Sequence, residues 1–186
     1  MPLTGQFVLY GGSFNPPHVG HQIACLWLTQ ALNAQDVIII PTFDHPDKTN
    51  LVDFDHRVEM CRLLAKSLKR VSVSDIEHTL PVPSRTINVL DRYPGGNRVL
   101  AIGSDLLDEV ESWEQWNRIK RTTKIVIIGR NNFNEDNVPF ECYHYPVELS
   151  AISSSEIRKR IFNSEDITGL VPVRIKKYIK KHGLYV

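Results

Sequence analysis

The sequence lacks the features that mark membrane, secreted and disulfide-stabilised proteins. No stretch approaches the roughly 20 apolar residues of a transmembrane helix, and the N-terminal residues show no basic segment followed by a long apolar one. The three cysteines, Cys25, Cys61 and Cys142, are far apart and form no Cys-x-x-Cys pair. They suit buried thiols in a reducing compartment rather than disulfides or a cysteine-rich zinc site. We therefore expect a cytoplasmic protein with no membrane partner.

An excess of charge of one sign is also lacking. The 22 Lys and Arg residues balance 21 Asp and Glu residues, for a net charge of +1 at pH 7. This balance argues against an extended surface for nucleic acid, although it is compatible with a local basic pocket for a phosphorylated small molecule. The most basic segment, residues 174–181, carries Ile175 and Ile179 four residues apart. We interpret it as a packed helix with one solvated face.

What the sequence does contain is a regular alternation of short apolar runs and helical patterns. The runs predict strands at residues 7–10, 37–40, 71–73, 99–102 and 125–128. The continuous runs at 37–40 and 125–128 are typical of parallel strands that are buried on both faces. Apolar residues at helical spacing predict helices at 21–32, 54–68, 84–92, 112–119, 153–162 and 171–181.

This alternation predicts an α/β fold. We expect a doubly wound, Rossmann-like parallel sheet of about five strands, with helices on both faces and a short C-terminal helical tail. The 186 residues would form a single domain with a core at about 5–150 and the helical part at about 151–186. A chain of this length buries enough surface to fold without disulfides or metals.

The loop after the first predicted strand is the most informative segment. Gly11 and Gly12 let the backbone approach a ligand closely, and the following helix start favours an anion. The loop fits neither the dinucleotide fingerprint nor the P-loop. His18 and His21 can face the same side of the helix start. They could donate to a phosphate whose charge grows in the transition state, ligate a metal whose third ligand is not apparent, or be ordinary surface histidines.

Two motifs, one near each end of the chain, resemble the signatures of the nucleotidyltransferase superfamily. Residues 11–21 resemble GGxFxPxHxGH, and residues 152–158 resemble ISSTxxR. Within that superfamily the chain is similar to the nicotinate mononucleotide adenylyltransferases. This similarity rests on residues 102–107 with Trp113 and Ile119, on residues 84–86 with Leu90, and on residues 182–185.

The resemblance implies transfer of AMP from ATP to nicotinate mononucleotide, which forms deamido-NAD and pyrophosphate in NAD biosynthesis. Nicotinamide mononucleotide or another phosphorylated acceptor remains open, as does a nucleotide-binding regulatory module without turnover. Mg²⁺ would be carried mainly by the ATP phosphates, with no dedicated metal site in the protein. The partners would be these small molecules, without nucleic acid, and a homo-oligomer is compatible with the sequence.

The resemblance also implies roles for particular residues. His18 and His21 would be catalytic. The residues that would bind ATP and its phosphates are Gly11, Gly12, Ser13, Phe14, Gly103, Asp105, Ile152, Ser153, Ser155 and Arg158. Those that would bind the acceptor are Lys48, Arg85, Thr86 and Trp113. Taken alone, Ser153 with Glu156 is also a capping box, and Asp105 is also a helix N-cap. Trp116 is expected to pack in the core.

Two departures from the family pattern fall in the part that would bind the acceptor. The family usually has tyrosine where Arg85 stands, and a Pro-Pro-His-Lys/Arg run where this chain has residues 44–48. If Arg85 points into the site, it could pair with the nicotinate carboxylate and disfavour the amide. Arg57 and Arg130 are further candidates for phosphate binding, with solvated surface charge as the alternative.

Overall fold

The computed structural model describes residues 2–45, 48, 50–129, 138, 140, 142–144 and 152–186. Within them, six strands form one sheet in which every pair of neighbours is parallel. The order is β3-β2-β1-β4-β5-β6. The strands are β1 (Phe7–Gly12), β2 (Asp36–Pro41), β3 (Val71–Val73), β4 (Arg98–Gly103), β5 (Lys124–Ile128) and β6 (Tyr143–His144).

The strand order reverses between β1 and β4. The chain moves from β1 outward to β2 and β3, then returns and continues outward on the other side through β4, β5 and β6. In open α/β sheets, ligands bind outside the carboxyl ends of the strands at such a switch point. All five predicted strands are confirmed. The sixth was not predicted, because two residues are too few to show a periodicity.

The helices match the predicted positions with shifts at their ends. They are α1 (Val19–Leu26), continued by a π-helical turn (Trp27–Ala31), α2 (Phe54–Ala65), α3 (Thr86–Arg92), α4 (Trp116–Thr122), α5 (Ser154–Phe162) and α6 (Val173–His182). The prediction of one helix over 112–119 was wrong. A 3₁₀ turn ends at Ser112, and Gln115 has a φ of 56°. This left-handed residue interrupts any helix that would cross it, so α4 begins only at Trp116.

Alternate strand residues pack on opposite faces of the sheet, as expected for strands that are buried on both sides. Val8 and Val37 belong to a hydrophobic cluster with residues of α1, α2, α5 and α6. Leu9 and Leu100 belong to another cluster, with residues of α3 and α4. Helices therefore cover both faces of the sheet. Trp116 is buried in the second cluster, as predicted.

The thiols and the C-terminal helix follow the sequence expectations. Cys25 and Cys61 are buried and free, and Cys142 is half-buried. Burial raises the pKa of the Cys25 thiol to about 12, so it stays protonated at neutral pH. In α6, Ile175 and Ile179 are buried in the core. Among the described residues, no helix is both long enough and apolar enough to cross a membrane.

Candidate active site

A cavity of about 780 Å³ opens at the carboxyl ends of β1, β2 and β4. It lies at the reversal of strand order, where an α/β sheet is expected to bind its ligand. Its volume is in the range that accommodates a small-molecule substrate. Of the residues predicted to form the site, those that line this cavity are Gly11, Gly12, Ser13, Phe14, His21, Lys48, Arg85, Thr86, Gly103, Asp105, Trp113, Ser153, Ser155 and Arg158.

The segment 11–18, called the glycine loop below, forms the first wall. The ring of Phe14 packs edge-on against Tyr10 and lies 4.9 Å, centre to centre, from the ring of His21. A Cβ on Gly12 would come within 3.2 Å of the Phe14 ring, which is tighter than ordinary van der Waals contact. Glycine at position 12 therefore lets the backbone of the loop lie close to the ring of Phe14.

His21 has a defined tautomer in this arrangement. Its Nδ1 accepts the backbone N–H of His18 at 3.1 Å, so the neutral ring carries its proton on Nε2. The ring centres of His18 and His21 lie 3.8 Å apart. His21 lines the cavity, whereas His18 is 1% exposed and is not among the described lining residues. Ile152, which is half-buried, is also outside the lining.

The start of α5 forms a second wall and is bonded directly to the glycine loop. Nη1 of Arg158 donates to the carbonyl of Asn15 at 2.8 Å, and Nη2 donates to Oγ of Ser155 at 3.2 Å. Ser154 Oγ donates to the carbonyl of Pro16 at 2.9 Å. Ser153 Oγ accepts the Glu156 N–H at 3.1 Å, so it also serves as the predicted N-cap.

Asn15 is a functional residue that sequence reasoning missed. Its side chain is buried, donates to the carbonyl of Asn50 at 3.0 Å and accepts the Val52 N–H at 3.3 Å. Its Oδ1 also accepts the hydroxyl of Tyr185 at 3.0 Å. One amide therefore joins the glycine loop to the C-terminus, 170 residues away. A polar residue between Phe14 and a proline was the only available signal in the sequence.

The predicted acceptor residues also line the cavity. Lys48 is exposed, and its Nζ donates to Oγ of Ser13 at 3.1 Å. Arg85 lies 3.6 Å from a carboxylate oxygen of Glu114, with both side chains substantially exposed. Trp113 is half-buried and packs edge-on against Trp116. Asp47 and Arg130 lie outside the described residues.

Arg57 was expected either to bind a phosphate or to be a solvated surface charge, and its position in the structure fits neither. Its residue exposure is 1%, so it is not a surface charge, and it is absent from the described lining of the cavity. Burial lowers the pKa of its guanidinium. The nitrogens instead donate to four backbone carbonyls, those of Ser13, Thr42, Phe43 and Val52.

Glu77 was also missed by sequence reasoning. It lines the cavity but is only 7% exposed. Its Oε2 accepts the Phe43 N–H at 2.8 Å, and Ser84 also hydrogen-bonds to its carboxylate. Burial raises the pKa of Glu77, and these bonds counteract the rise in part. A single glutamate between a strand and a helix gives no local pattern that distinguishes it from a surface residue.

Asp105 reaches the cavity from the end of β4. It lies in a 3₁₀ turn (Ser104–Leu106) whose N-cap is Gly103 rather than Asp105 itself. A Cβ on Gly103 would collide with Oδ1 of Asp105, so glycine allows the carboxylate to fold back over the strand end. Among the described residues, no group of three or more His, Cys, Asp and Glu side chains could hold a metal ion.

The family of this chain is identified by its similarity to known proteins. A family model described as cytidylyltransferase-like matches residues 9–160. The chain belongs to the cytidylyltransferase-like family. The match runs from β1 to α5 and includes both walls of the cavity, and it confirms the resemblance to nucleotidyltransferases that the two motifs predict.

Relatives of this family member extend the similarity over almost the whole chain. The probable nicotinate-nucleotide adenylyltransferase of Anaeromyxobacter dehalogenans strain 2CP-1 is 37% identical over 191 residues, covering 97% of this chain and 96% of its own. The protein of the same name from Myxococcus xanthus strain DK1622 is 32% identical over 185 residues, covering 97% and 94%.

A solved structure confirms the fold of this family member. Plasmodium falciparum nicotinic acid mononucleotide adenylyltransferase, complexed with NaAD, is similar with a TM-score of 0.83 and 24% identity, covering 97% of both chains. The predicted doubly wound α/β architecture is therefore confirmed.

Proposed function

We propose that this chain transfers AMP from ATP to nicotinate mononucleotide and forms deamido-NAD and pyrophosphate, as a step of NAD biosynthesis. The observation that carries the proposal is the cavity at the β1–β4 switch point, which the glycine loop, His21 and Arg158 line together. The relatives that bear this activity in their names match 97% of the chain, which supports the same acceptor.

The reaction needs no protein nucleophile, because the phosphate of the acceptor is already anionic at neutral pH. One of its oxygens would form a bond to the α-phosphorus of ATP, while the bond from that phosphorus to the bridging oxygen breaks. Pyrophosphate leaves with the electron pair. The protein's task is therefore in-line alignment and stabilisation of the charge that develops on the phosphates.

His21 is suited to stabilise that charge. Since its Nδ1 accepts a backbone N–H, the Nε2 proton is the one that it would donate to a phosphate oxygen. His18 packs against this ring and supplies the backbone donor that fixes the tautomer. Backbone N–H groups of Gly12, Ser13 and Phe14 would hold the anionic substrates on the same side.

The α5 side would bind the outer phosphates of ATP. Ser153, Ser155 and Arg158 line the same cavity as His21, and a guanidinium matches the geometry of a phosphate. Mg²⁺ would be held mainly by triphosphate oxygens and water, and it would neutralise charge on the leaving pyrophosphate. Gly103 and Asp105 would meet the adenosine, with Asp105 accepting a ribose hydroxyl.

A second part of the cavity would bind the acceptor. Trp113 offers an aromatic face for the pyridine ring, and Thr86 and Lys48 line the same region. Arg85 would pair with the nicotinate carboxylate, which nicotinamide lacks. We further propose that the chain acts in the cytoplasm on these small molecules alone, without nucleic acid or membrane.

The test is product formation from two acceptors. Purified protein is incubated with Mg²⁺-ATP and either nicotinate or nicotinamide mononucleotide, and dinucleotides are separated by chromatography. His21→Ala, purified identically, controls for contaminating enzyme. Dinucleotide from the nicotinate acceptor, lost in the variant, is the expected result. Preference for the amide would change the acceptor assignment, and ATP binding without dinucleotide from either would indicate another acceptor or a regulatory module.

A further inference from the structure

Two segments on the acceptor side of the cavity are joined by two hydrogen bonds. They are residues 42–45, which follow β2, and residues 84–86, which lead into α3; together they are called the acceptor segments below. The Asp44 N–H donates to Oγ of Ser84 at 3.1 Å, and the Ser84 N–H donates to the carbonyl of Asp44 at 3.1 Å. The second segment carries Arg85 and Thr86, so the geometry of this junction determines where these two residues lie.

The carboxylate of Glu77 contacts both acceptor segments. It accepts the Phe43 N–H at 2.8 Å and is hydrogen-bonded by the side chain of Ser84. Ser84 Oγ also accepts the Asp44 N–H, so this hydroxyl interacts with both the Asp44 backbone and the Glu77 carboxylate. An ionised Glu77 can accept both the Phe43 N–H and the serine hydroxyl proton.

Arg57 holds the first acceptor segment from the other side. It donates to the carbonyls of Thr42 at 2.6 Å and Phe43 at 3.3 Å. Phe43 is thus held at its N–H by a carboxylate and at its carbonyl by a guanidinium. Arg57 also donates to the carbonyl of Ser13 at 3.0 Å, which links the acceptor segment to the glycine loop. The opposite charges of Arg57 and Glu77 attract across this loop.

We infer that Glu77 is a positioning residue for acceptor binding, because it fixes the two acceptor segments relative to each other and thereby places Arg85 and Thr86 against the acceptor nucleotide. This inference rests on the proposed function. It assigns Glu77 no contact with the reacting atoms. Its effect falls on the affinity for the acceptor rather than for ATP, whose contacts would come from α5, the glycine loop and the end of β4.

The negative charge of Glu77 also balances the buried guanidinium of Arg57, so the test of a positioning role needs a readout other than stability. Burial raises the pKa of Glu77, so the ionised form costs folding free energy that a neutral side chain of the same shape would not. Glu77→Gln removes the charge and presents an amide N–H₂ to one of two donors. The junction then loses one hydrogen-bond acceptor, while the volume of the core is unchanged.

The experiment compares Glu77→Gln with wild type in the full chain, by steady-state kinetics with each substrate varied in turn. A displacement of about 1 Å at a binding group can cost up to about 100-fold. We expect the KM for nicotinate mononucleotide to rise about tenfold, with the KM for ATP within about twofold of wild type. Thermal unfolding should show some loss of stability, because the junction loses a hydrogen-bond acceptor and Arg57 loses a countercharge; the selective rise in the acceptor KM is the result that a merely structural role would not give. Glu165→Gln, an exposed glutamate far along the chain, is the matched control.

Other results would overturn the inference. An unchanged KM for the acceptor would do so, and so would equal rises in both KM values, which indicate general loosening. If Glu77→Gln does not fold, Ser84→Ala carries the test, because it removes the hydroxyl donor and leaves Glu77 in place. We expect the same selective rise in the acceptor KM, and an unchanged acceptor KM in Ser84→Ala would likewise overturn the inference.

Failure of the proposed function has a different signature. In that case the wild-type protein makes no dinucleotide from nicotinate mononucleotide, and binding of that nucleotide is measured by calorimetry instead. Wild-type binding that Glu77→Gln weakens about tenfold would support the positioning role without turnover. Absence of wild-type binding would overturn both proposals.

Discussion

The two ends of the cavity are built differently. On the side of the glycine loop and α5, side chains bond to the backbone of buried residues, as Arg158 and Ser154 do to the loop carbonyls. On the acceptor side, Arg85 and Glu114 line the cavity and pair with each other at its surface, with 39% of the Arg85 side chain and 54% of the Glu114 side chain accessible. The end proposed for phosphate chemistry is therefore held rigidly, whereas the end proposed for acceptor recognition keeps hydrated groups.

This difference follows from what each end would have to do. Charge stabilisation in a transition state requires donors that do not reorganise during the reaction. Discrimination between acceptors requires a group whose interaction differs between them, and an exposed arginine can exchange one carboxylate partner for another. Glu77 and Arg57 are the exceptions on the acceptor side, since both are buried beneath its exposed charges.

The largest expected effect is on the rigid side. His21→Ala removes the Nε2 donor, and we expect kcat to fall by about 10²–10³-fold while the KM for the acceptor changes little. The measurement is the initial rate of pyrophosphate release at saturating substrates. His182→Ala, an exposed histidine at the end of α6, is the control. A kcat within a few-fold of wild type would remove His21 from the proposed mechanism.

The second-largest expected effect concerns Asn15, whose hydrogen bonds hold the glycine loop in place. Asn15→Ala deletes a buried amide and leaves the Val52 N–H and the Tyr185 hydroxyl without this partner. Leaving buried groups unsatisfied costs about 1–3 kcal/mol in the free energy of unfolding, and we expect activity to fall as well. Urea unfolding measures the first and initial rates the second.

Tyr185→Phe separates the contribution of the C-terminus from that of the loop. It removes one hydrogen bond to Asn15 and keeps the ring, so the expected cost is about 0.5–1.5 kcal/mol. An Asn15→Ala variant as stable as wild type would contradict the contrast between the two ends of the cavity.

On the exposed side we expect a change of preference rather than of rate. Arg85→Gln removes the charge that would pair with the nicotinate carboxylate, so kcat/KM for the nicotinate acceptor should fall about tenfold relative to the nicotinamide acceptor, the scale of one charged hydrogen bond. Competition between the two acceptors in one reaction gives this ratio directly. Arg118→Gln, which breaks a surface ion pair with Asp91, is the control. An unchanged ratio would dispose of Arg85 as the selecting residue.

The smallest effect lies outside both ends of the cavity. Asp166 is exposed between α5 and α6, and hydrogen bonds from Lys176 and Thr168 lower its pKa to about 2. A lowered carboxyl pKa stabilises the fold above the ordinary value of 3.8, and that contribution is lost as pH falls toward 2.

Asp166→Asn should therefore be less stable than wild type at neutral pH, with the difference shrinking over that interval. Denaturant titrations at several pH values measure it, and Lys176→Gln should show the same loss at neutral pH. A difference in stability that is constant with pH would refute this assignment. At each pH, the variants should be as active as wild type.

The sequence by itself determined the alternation of strands and helices and the burial of the sheet on both faces, and its resemblance to a known family indicated most of the cavity lining. The first two are local properties. A continuous apolar run, a helical spacing of isoleucines or two glycines after a strand can be recognised within a few neighbouring residues. The switch point then follows from the order of the strands, and it brings the two motifs to one cavity.

Only the tertiary structure decided the roles of Arg57, Asn15 and Glu77. Arg57 is buried because carbonyls from three separate positions along the chain converge on it. Asn15 meets Tyr185 across the whole sequence, and Glu77 meets Phe43 across 34 residues. Whether a charged or polar side chain is solvated or buried depends on such long-range partners, which leave no periodic signal in a single sequence.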